Sequence, residues 1–195
     1  MILGLTGGFG CGKSSVLACF KDAGWRTLNA DAVCAEFYDR QDAGLVTALR
    51  TRWQDKVFHS DGKVDKAAIA GIVFSDRAEL QWLCSTLYPL ITENIRKTIE
   101  QYPGQDFIIE VPLLFEAGWE KMCDKTVCVW TETDTQKKRL LQKGFAADDI
   151  DRRNSRQLPN DRKLEKADFG LINNGSLQFL KEQCNNLINH IKEQK

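Results

Sequence analysis

The stretch Ile2-Leu3-Gly4-Leu5-Thr6-Gly7-Gly8-Phe9-Gly10-Cys11-Gly12-Lys13-Ser14 decides the fold. Residues 2–5 are a short apolar run that reads as a buried strand. The eight residues from Gly7 match G-x-x-x-x-G-K-[ST], and residues 13–23 then read as a helix closed by Gly24. Strand, glycine loop and helix in that order form a phosphate-binding loop. Gly8, Gly10 and Gly12, with Cys11, let backbone N–H groups converge on phosphate oxygens, and the helix N-terminus adds unpaired donors. Lys13 is placed to bridge the β and γ phosphates, the Ser14 hydroxyl to ligate Mg²⁺ and Ser15 to meet the α phosphate. Cys11 is open to two readings: a thiol acidified by the helix N-terminus, or a small residue that fits.

Outward from this loop, strands and helices alternate. Residues 26–28, 107–111, 126–130 and 169–172 read as further short strands, so the chain is an α/β fold around a parallel sheet. Helical stretches are expected at 45–53, 76–101, 134–143 and 148–157, with Pro89 as a kink in the longest. Asp31 is a candidate N-cap opening another helix, and Ser176 caps the last one, whose apolar face runs from Leu177 to Ile191. Residues 31–100 look mostly helical and interrupt the strand pattern. The expected organisation is a core of 1–30 and 101–195 with residues 31–100 inserted as a substrate domain.

Composition narrows the function classes. At 195 residues the chain makes one domain with a sizeable insertion, and 43% apolar residues supply a core. Lys plus Arg and Asp plus Glu both number 27, which argues against a general nucleic-acid or membrane-surface binder. No apolar run is long enough to span a bilayer, and the N-terminus does not read as a signal peptide. Seven cysteines without a CxxC pair read as reduced thiols in a cytoplasm, and two histidines leave almost no ligand set for structural zinc. The five tryptophans read as core, although Trp53 or Trp82 could flank a substrate site.

The phosphate loop leaves several protein classes open, and absent motifs close most of them. The chain has no D-x-x-G switch, no N-K-x-D guanine reader and no L-S-G-G-Q stretch. A small phosphate-loop protein with a helical insertion points to a small-molecule kinase. Residues 137–166 hold ten basic and five acidic side chains, with Arg139 the best placed. Such an excess suits a lid closing over triphosphate; a solvated helix face is the other reading. Glu110, at the end of a strand, is placed either to hold Mg²⁺, directly or through water, or to pair with a lid arginine.

The chain resembles the dephospho-coenzyme A kinases over nearly its whole length. The resemblance rests on Gly4 to Ser14, Asn29-Ala30-Asp31, Asp61-Gly62-Lys63-Val64-Asp65 and Tyr88-Pro89-Leu90-Ile91. It continues through Val111-Pro112-Leu113-Leu114-Phe115-Glu116, Gln136-Lys137-Lys138-Arg139-Leu140, Arg156-Gln157, Ala167-Asp168 and Asn173-Asn174-Gly175. It implies a nucleoside-kinase-like three-layer sandwich with a five-stranded parallel sheet, a helical coenzyme-binding insertion and a lid. It also implies ATP- and Mg²⁺-dependent phosphorylation of the ribose 3′-hydroxyl of dephospho-coenzyme A by a monomer or weak homo-oligomer. Asp31 matches the second Asp of the family's D-A-D, which implies a carboxylate that takes or orients the acceptor hydroxyl; the N-cap role is compatible with this. Asn174 lies where the chain would turn beside the adenine, although a plain turn explains it nearly as well. Asn29, Lys66, Tyr88 and Lys143 depart from the family pattern, standing where Asp, Arg, His and Arg are usual. The rival readings are a kinase for another metabolite and a non-catalytic ATP-binding regulator.

Overall fold

The apolar run ahead of the phosphate loop is the central strand of a parallel sheet in a computed structural model that describes residues 1–194. In chain order the elements begin β1 (Ile2–Gly7), α1 (Lys13–Asp22), β2 (Arg26–Asn29), α2 (Ala30–Asp39) and α3 (Ala43–Trp53). Helices α4 (Lys66–Ser75) and α5 (Arg77–Glu100), then β3 (Phe107–Glu110) and β4 (Lys125–Trp130), follow. The chain ends with α6 (Thr133–Gln142), α7 (Ala147–Asn154), α8 (Asn160–Lys166), β5 (Phe169–Ile172) and α9 (Leu177–Glu193).

The strand order is β2-β3-β1-β4-β5, with every pair parallel. Parallel strands covered on both faces carry continuous apolar runs rather than alternation, which is how residues 107–109 and 127–129 read. β1 lies between β3 and β4, so the chain order reverses on either side of it. Open α/β sheets bind ligands beyond the carboxyl ends of their strands at such a point. The phosphate loop leaves β1 there. Leu3 and Leu5 of β1, Val16 and Phe20 of α1, Val127 and Val129 of β4 and Leu180, Ile188 and Ile191 of α9 share one buried core. Each such side chain stabilises the fold by about 1.5–3 kcal/mol through area removed from water.

The chain forms two compact units, one of Met1–Asn29 with the chain from Gly104 onward, the other Ala30–Pro103. The second unit is helical because its sequence caps helices in succession. Asp42, Asp65 and Asp76 each accept two backbone N–H bonds at the starts of α3, α4 and α5. Its core runs through Leu45, Leu49, Ile69, Leu83, Leu87, Ile91 and Ile95. Trp53 is buried edge-on against Trp82 at 4.8 Å, and its indole N–H donates to Glu79, so its polar atom is satisfied within this unit.

Three local expectations change. Asp31 is not an N-cap: β2 runs directly into α2, which begins at Ala30, so Asp31 sits in the first turn. Helix α4 was not separately expected. The stretch expected at 148–157 ends at Asn154, and α8 restarts after Pro159, whose fixed φ and missing N–H suit a helix start.

Candidate active site

The phosphate loop is shaped by its glycines and braced by side chains from four other places in the sequence. Gly12 precedes α1 with φ at +99°, and a Cβ there would run into the side-chain amide of Asn173. Only glycine meets both demands. Asn173 donates to the Cys11 carbonyl at 2.8 Å, and Thr131, just past β4, donates to the same oxygen at 3.2 Å. Gln136 of α6 donates to the Phe9 carbonyl. Asn160, the first residue of α8, accepts from the Gly8 N–H at 3.0 Å and donates to the Cys11 sulfur at 3.2 Å. Cys11 has no exposed surface, which favours the reading of a small residue that fits.

Lys13 opens α1 and is 8% exposed. Its ammonium donates to the carbonyls of Gly7 and Gly8, both at 3.1 Å, and stands 3.9 Å from Glu110. Sheet register produces this meeting, because Glu110 ends β3 opposite Leu5 of β1 on one side and opposite Asn29 of β2 on the other. The Asn29 amide donates to the second Glu110 oxygen at 3.0 Å. The departure at Asn29 thus places a neutral donor beside the acid, where an aspartate would place a like charge.

Ser14 is exposed in the first turn of α1, and Ser15 is half-buried beside it. Among the described residues no group of three or more His, Cys, Asp or Glu could hold a metal by itself. Mg²⁺ needs no such cage, since it binds through one or two protein oxygens with phosphate and water oxygens. The Ser14 hydroxyl and the Glu110 carboxylate are hard oxygen donors of that kind, so the residues present fit the ion.

The basic segment is organised more tightly than its charge count implies. Arg139 donates to the carbonyls of Asn173 at 2.5 Å and Gly175 at 3.0 Å, so its guanidinium holds the turn between β5 and α9. Asn174, in that turn, accepts the Glu132 N–H at 2.9 Å. Lys137 pairs with Asp151, Arg152 and Arg153 with Asp149, and Arg162 with Glu165. Arg153 also lies over the ring of Phe9 at 4.8 Å, and Phe9 meets Phe145 edge-on at 5.1 Å, so the loop tip touches this segment. Lys163 is no surface charge at all: it is wholly buried and paired with Glu116 at 3.2 Å.

The structure therefore brings Lys13, Glu110 and Asn29 together, and it gathers Asn160, Gln136, Thr131 and Asn173 around the loop. Asp31 belongs to the other unit, as its second residue, and is exposed. In that unit Lys66 pairs with Asp39 at 2.5 Å, and Tyr88 is half-buried. Lys143, at the end of α6, is exposed. The bracing roles of Asn160 and Thr131 were missed. Pro159 before Asn160 was the available signal for α8, whereas Thr131 carries none.

A parallel sheet whose central strand turns through such a loop, with a lysine facing a strand-end acid, defines the P-loop class to which many small-molecule kinases belong. Residues 1–178 match the family described as CoaE, dephospho-CoA kinase. The dephospho-CoA kinase of Arabidopsis thaliana is 32% identical over 98% of this chain and 84% of its own. The crystal structure of TT1252 from Thermus thermophilus is 27% identical, with a TM-score of 0.83 over 97% of both chains. A dephospho-CoA kinase structure from Campylobacter jejuni shares the fold at a TM-score of 0.72, with 23% identity over 98% of this chain and 97% of that one. The chain belongs to the dephospho-CoA kinase family and is a kinase.

Proposed function

We propose that this enzyme transfers the γ-phosphoryl group of ATP to the ribose 3′-hydroxyl of dephospho-coenzyme A, giving coenzyme A and ADP, the last step of coenzyme A synthesis. The observation that carries the reading is the Lys13 ammonium at the mouth of a glycine loop, 3.9 Å from Glu110, in a chain of this family. Gly10 and Gly12 offer backbone N–H groups to the phosphates, while the Gly8 N–H is held by Asn160 and the Cys11 N–H must turn from the Gly8 carbonyl, at 3.2 Å, to join them. Lys13 neutralises charge on the β and γ phosphates as the phosphoryl group leaves. Mg²⁺, when bound with the nucleotide, neutralises further charge on the phosphates. The Ser14 hydroxyl and the Glu110 carboxylate would hold it. Asp31 accepts or orients the proton of the acceptor hydroxyl. Arg139 supports transfer by holding the Asn173–Gly175 carbonyls, which sets the turn carrying Asn174 against the adenine.

A moving lid, on this reading, is residues 145–157, because Arg139 ties α6 to the turn after β5, and α8 packs on β1 and β4 and carries a buried lysine. The unit Ala30–Pro103 binds the coenzyme. No helix among the described residues is long and apolar enough to cross a membrane. We place the enzyme in the cytoplasm, as a monomer or weak homo-oligomer, where its free cysteines stay reduced.

The test is ADP release with dephospho-coenzyme A, AMP, shikimate and water as separate acceptors. Turnover with dephospho-coenzyme A alone is expected. Asp31→Ala is expected to lose it by about 10²–10⁴-fold while ATP still binds. Turnover with a different acceptor overturns the substrate assignment, and unchanged turnover in Asp31→Ala overturns the role of that carboxylate.

A further inference from the structure

Lys163 has no exposed surface, although lysine is a residue type that is almost never fully buried. Its ammonium has three N–H groups and three acceptors: the Pro112 carbonyl at 2.5 Å, the Gln157 side-chain oxygen at 2.9 Å and Glu116 at 3.2 Å. Burial pushes its pKa down, and the Glu116 carboxylate pulls it back up. An apolar side chain of similar volume in such a place is usually as stable or more stable than a buried ion pair. Stability therefore gives no reason for a lysine here, and the groups it holds do.

Pro112 lies two residues beyond Glu110, where the chain leaves β3. Its carbonyl also accepts from the Thr6 hydroxyl at 3.2 Å, and Thr6 precedes Gly7, whose carbonyl accepts from Lys13. At the start of the same helix α8, Asn160 accepts from the Gly8 N–H of the phosphate loop. Glu116 accepts from the Leu158 N–H at 2.7 Å as well as pairing with Lys163, so the segment after β3 is tied both to α8 and to the chain just ahead of it. Helix α8 thus grips the phosphate loop through Asn160 and the exit of the acid-bearing strand through Lys163.

We propose that Lys163 is a positioning residue for phosphoryl transfer, fixing the exit of β3 and through it the separation of the Glu110 carboxylate from the Lys13 ammonium. This rests on the roles given above to Lys13 and Glu110. A misplacement of about 1 Å is enough to lower a transfer rate about 10²-fold.

Three variants test it: Lys163→Met, Lys163→Gln and the double variant Lys163→Met/Glu116→Gln. The double variant leaves no unpaired charge and keeps an acceptor for the Leu158 N–H. The readouts are the thermal midpoint, kcat and KM for ATP, and the Mg²⁺ concentration that half-saturates binding of a fluorescent ATP analogue. Lys163→Met is expected to lose both thermal midpoint and kcat, and Lys163→Gln, which keeps two N–H donors but no charge, to lose less of each. The double variant is expected to regain the midpoint. Its kcat is expected to stay about 10–100-fold low, with the Mg²⁺ requirement raised by a similar factor and KM for ATP little changed. A double variant with wild-type kcat and Mg²⁺ requirement overturns the proposal, because Lys163 then only fills space. If the wild-type chain transfers nothing to dephospho-coenzyme A, the proposed function fails instead. The Mg²⁺ dependence of nucleotide binding still reads Lys163 in that case.

Discussion

Asn29 shows how one neutral side chain can hold a strand-end acid in place. Its amide donates to a Glu110 oxygen at 3.0 Å, while the Lys13 ammonium stands 3.9 Å from the other oxygen. Asn29→Asp replaces the donor by a second carboxylate at hydrogen-bonding distance, and two such groups resist ionising together. Asn29→Asp is therefore expected to lower the thermal midpoint by about 3 °C, the effect of roughly 1 kcal/mol in a chain of this size. Thermal melts of the two proteins measure it, and an unchanged midpoint removes the Asn29–Glu110 bond from the contacts that hold the site together.

At the scale of elements, the Ala167-Asp168 pair turns out to be a clamp between neighbouring strands. The Asp168 carboxylate accepts from the Thr126 N–H and hydroxyl, both at 2.8 Å, and from Lys125 at 3.2 Å, which ties the start of β4 to the entry of β5. Burial works to raise its pKa, but the bonds from Thr126 and Lys125 outweigh that and hold it below the usual carboxylate range. A carboxyl lowered in the folded state stabilises the fold above its unfolded pKa, and that stability fades as pH falls through the folded value. Asp168→Ala is expected to lower the thermal midpoint at neutral pH by about 3 °C, the effect of roughly 1 kcal/mol in a chain of this size. The gap from wild type should close as the pH is taken below about 4, where the unfolded carboxyl also protonates. Thermal melts at several pH values decide this, and a gap independent of pH denies the ionised clamp.

For the whole molecule, the division of labour between fixed and moving parts sets the expectation. α8 is fixed by Lys163 inside and by Asn160 on the phosphate loop. α7 touches the loop through the face of Arg153 on Phe9, and its basic residues are otherwise held by surface pairs such as Arg153 with Asp149 at 3.0 Å. Exposed pairs of that kind contribute only about 0–1 kcal/mol each and yield readily to a better anion. Hydrogen exchange with and without Mg²⁺ and ATP is expected to show slower exchange in residues 7–14 and 145–157, with α8 slow in both conditions. Unchanged exchange in 145–157 overturns the lid.

Read from residues alone, the phosphate loop, the five strands and the parallel α/β class were all available. Each is written in local spacing: an apolar run, a glycine pattern that only one backbone path satisfies, a polar cap before a helix. Glu110 was legible for the same reason, as an acid ending an apolar run. Tertiary structure alone decided what that acid meets, because sheet register sets Glu110 opposite both Leu5 and Asn29. It alone turned Arg139 toward two backbone carbonyls, and it took Lys163 out of a surface charge count into the interior. A side chain's charge is a property of its residue type, but its burial and its partners belong to segments dozens of residues away, and local spacing carries no record of them.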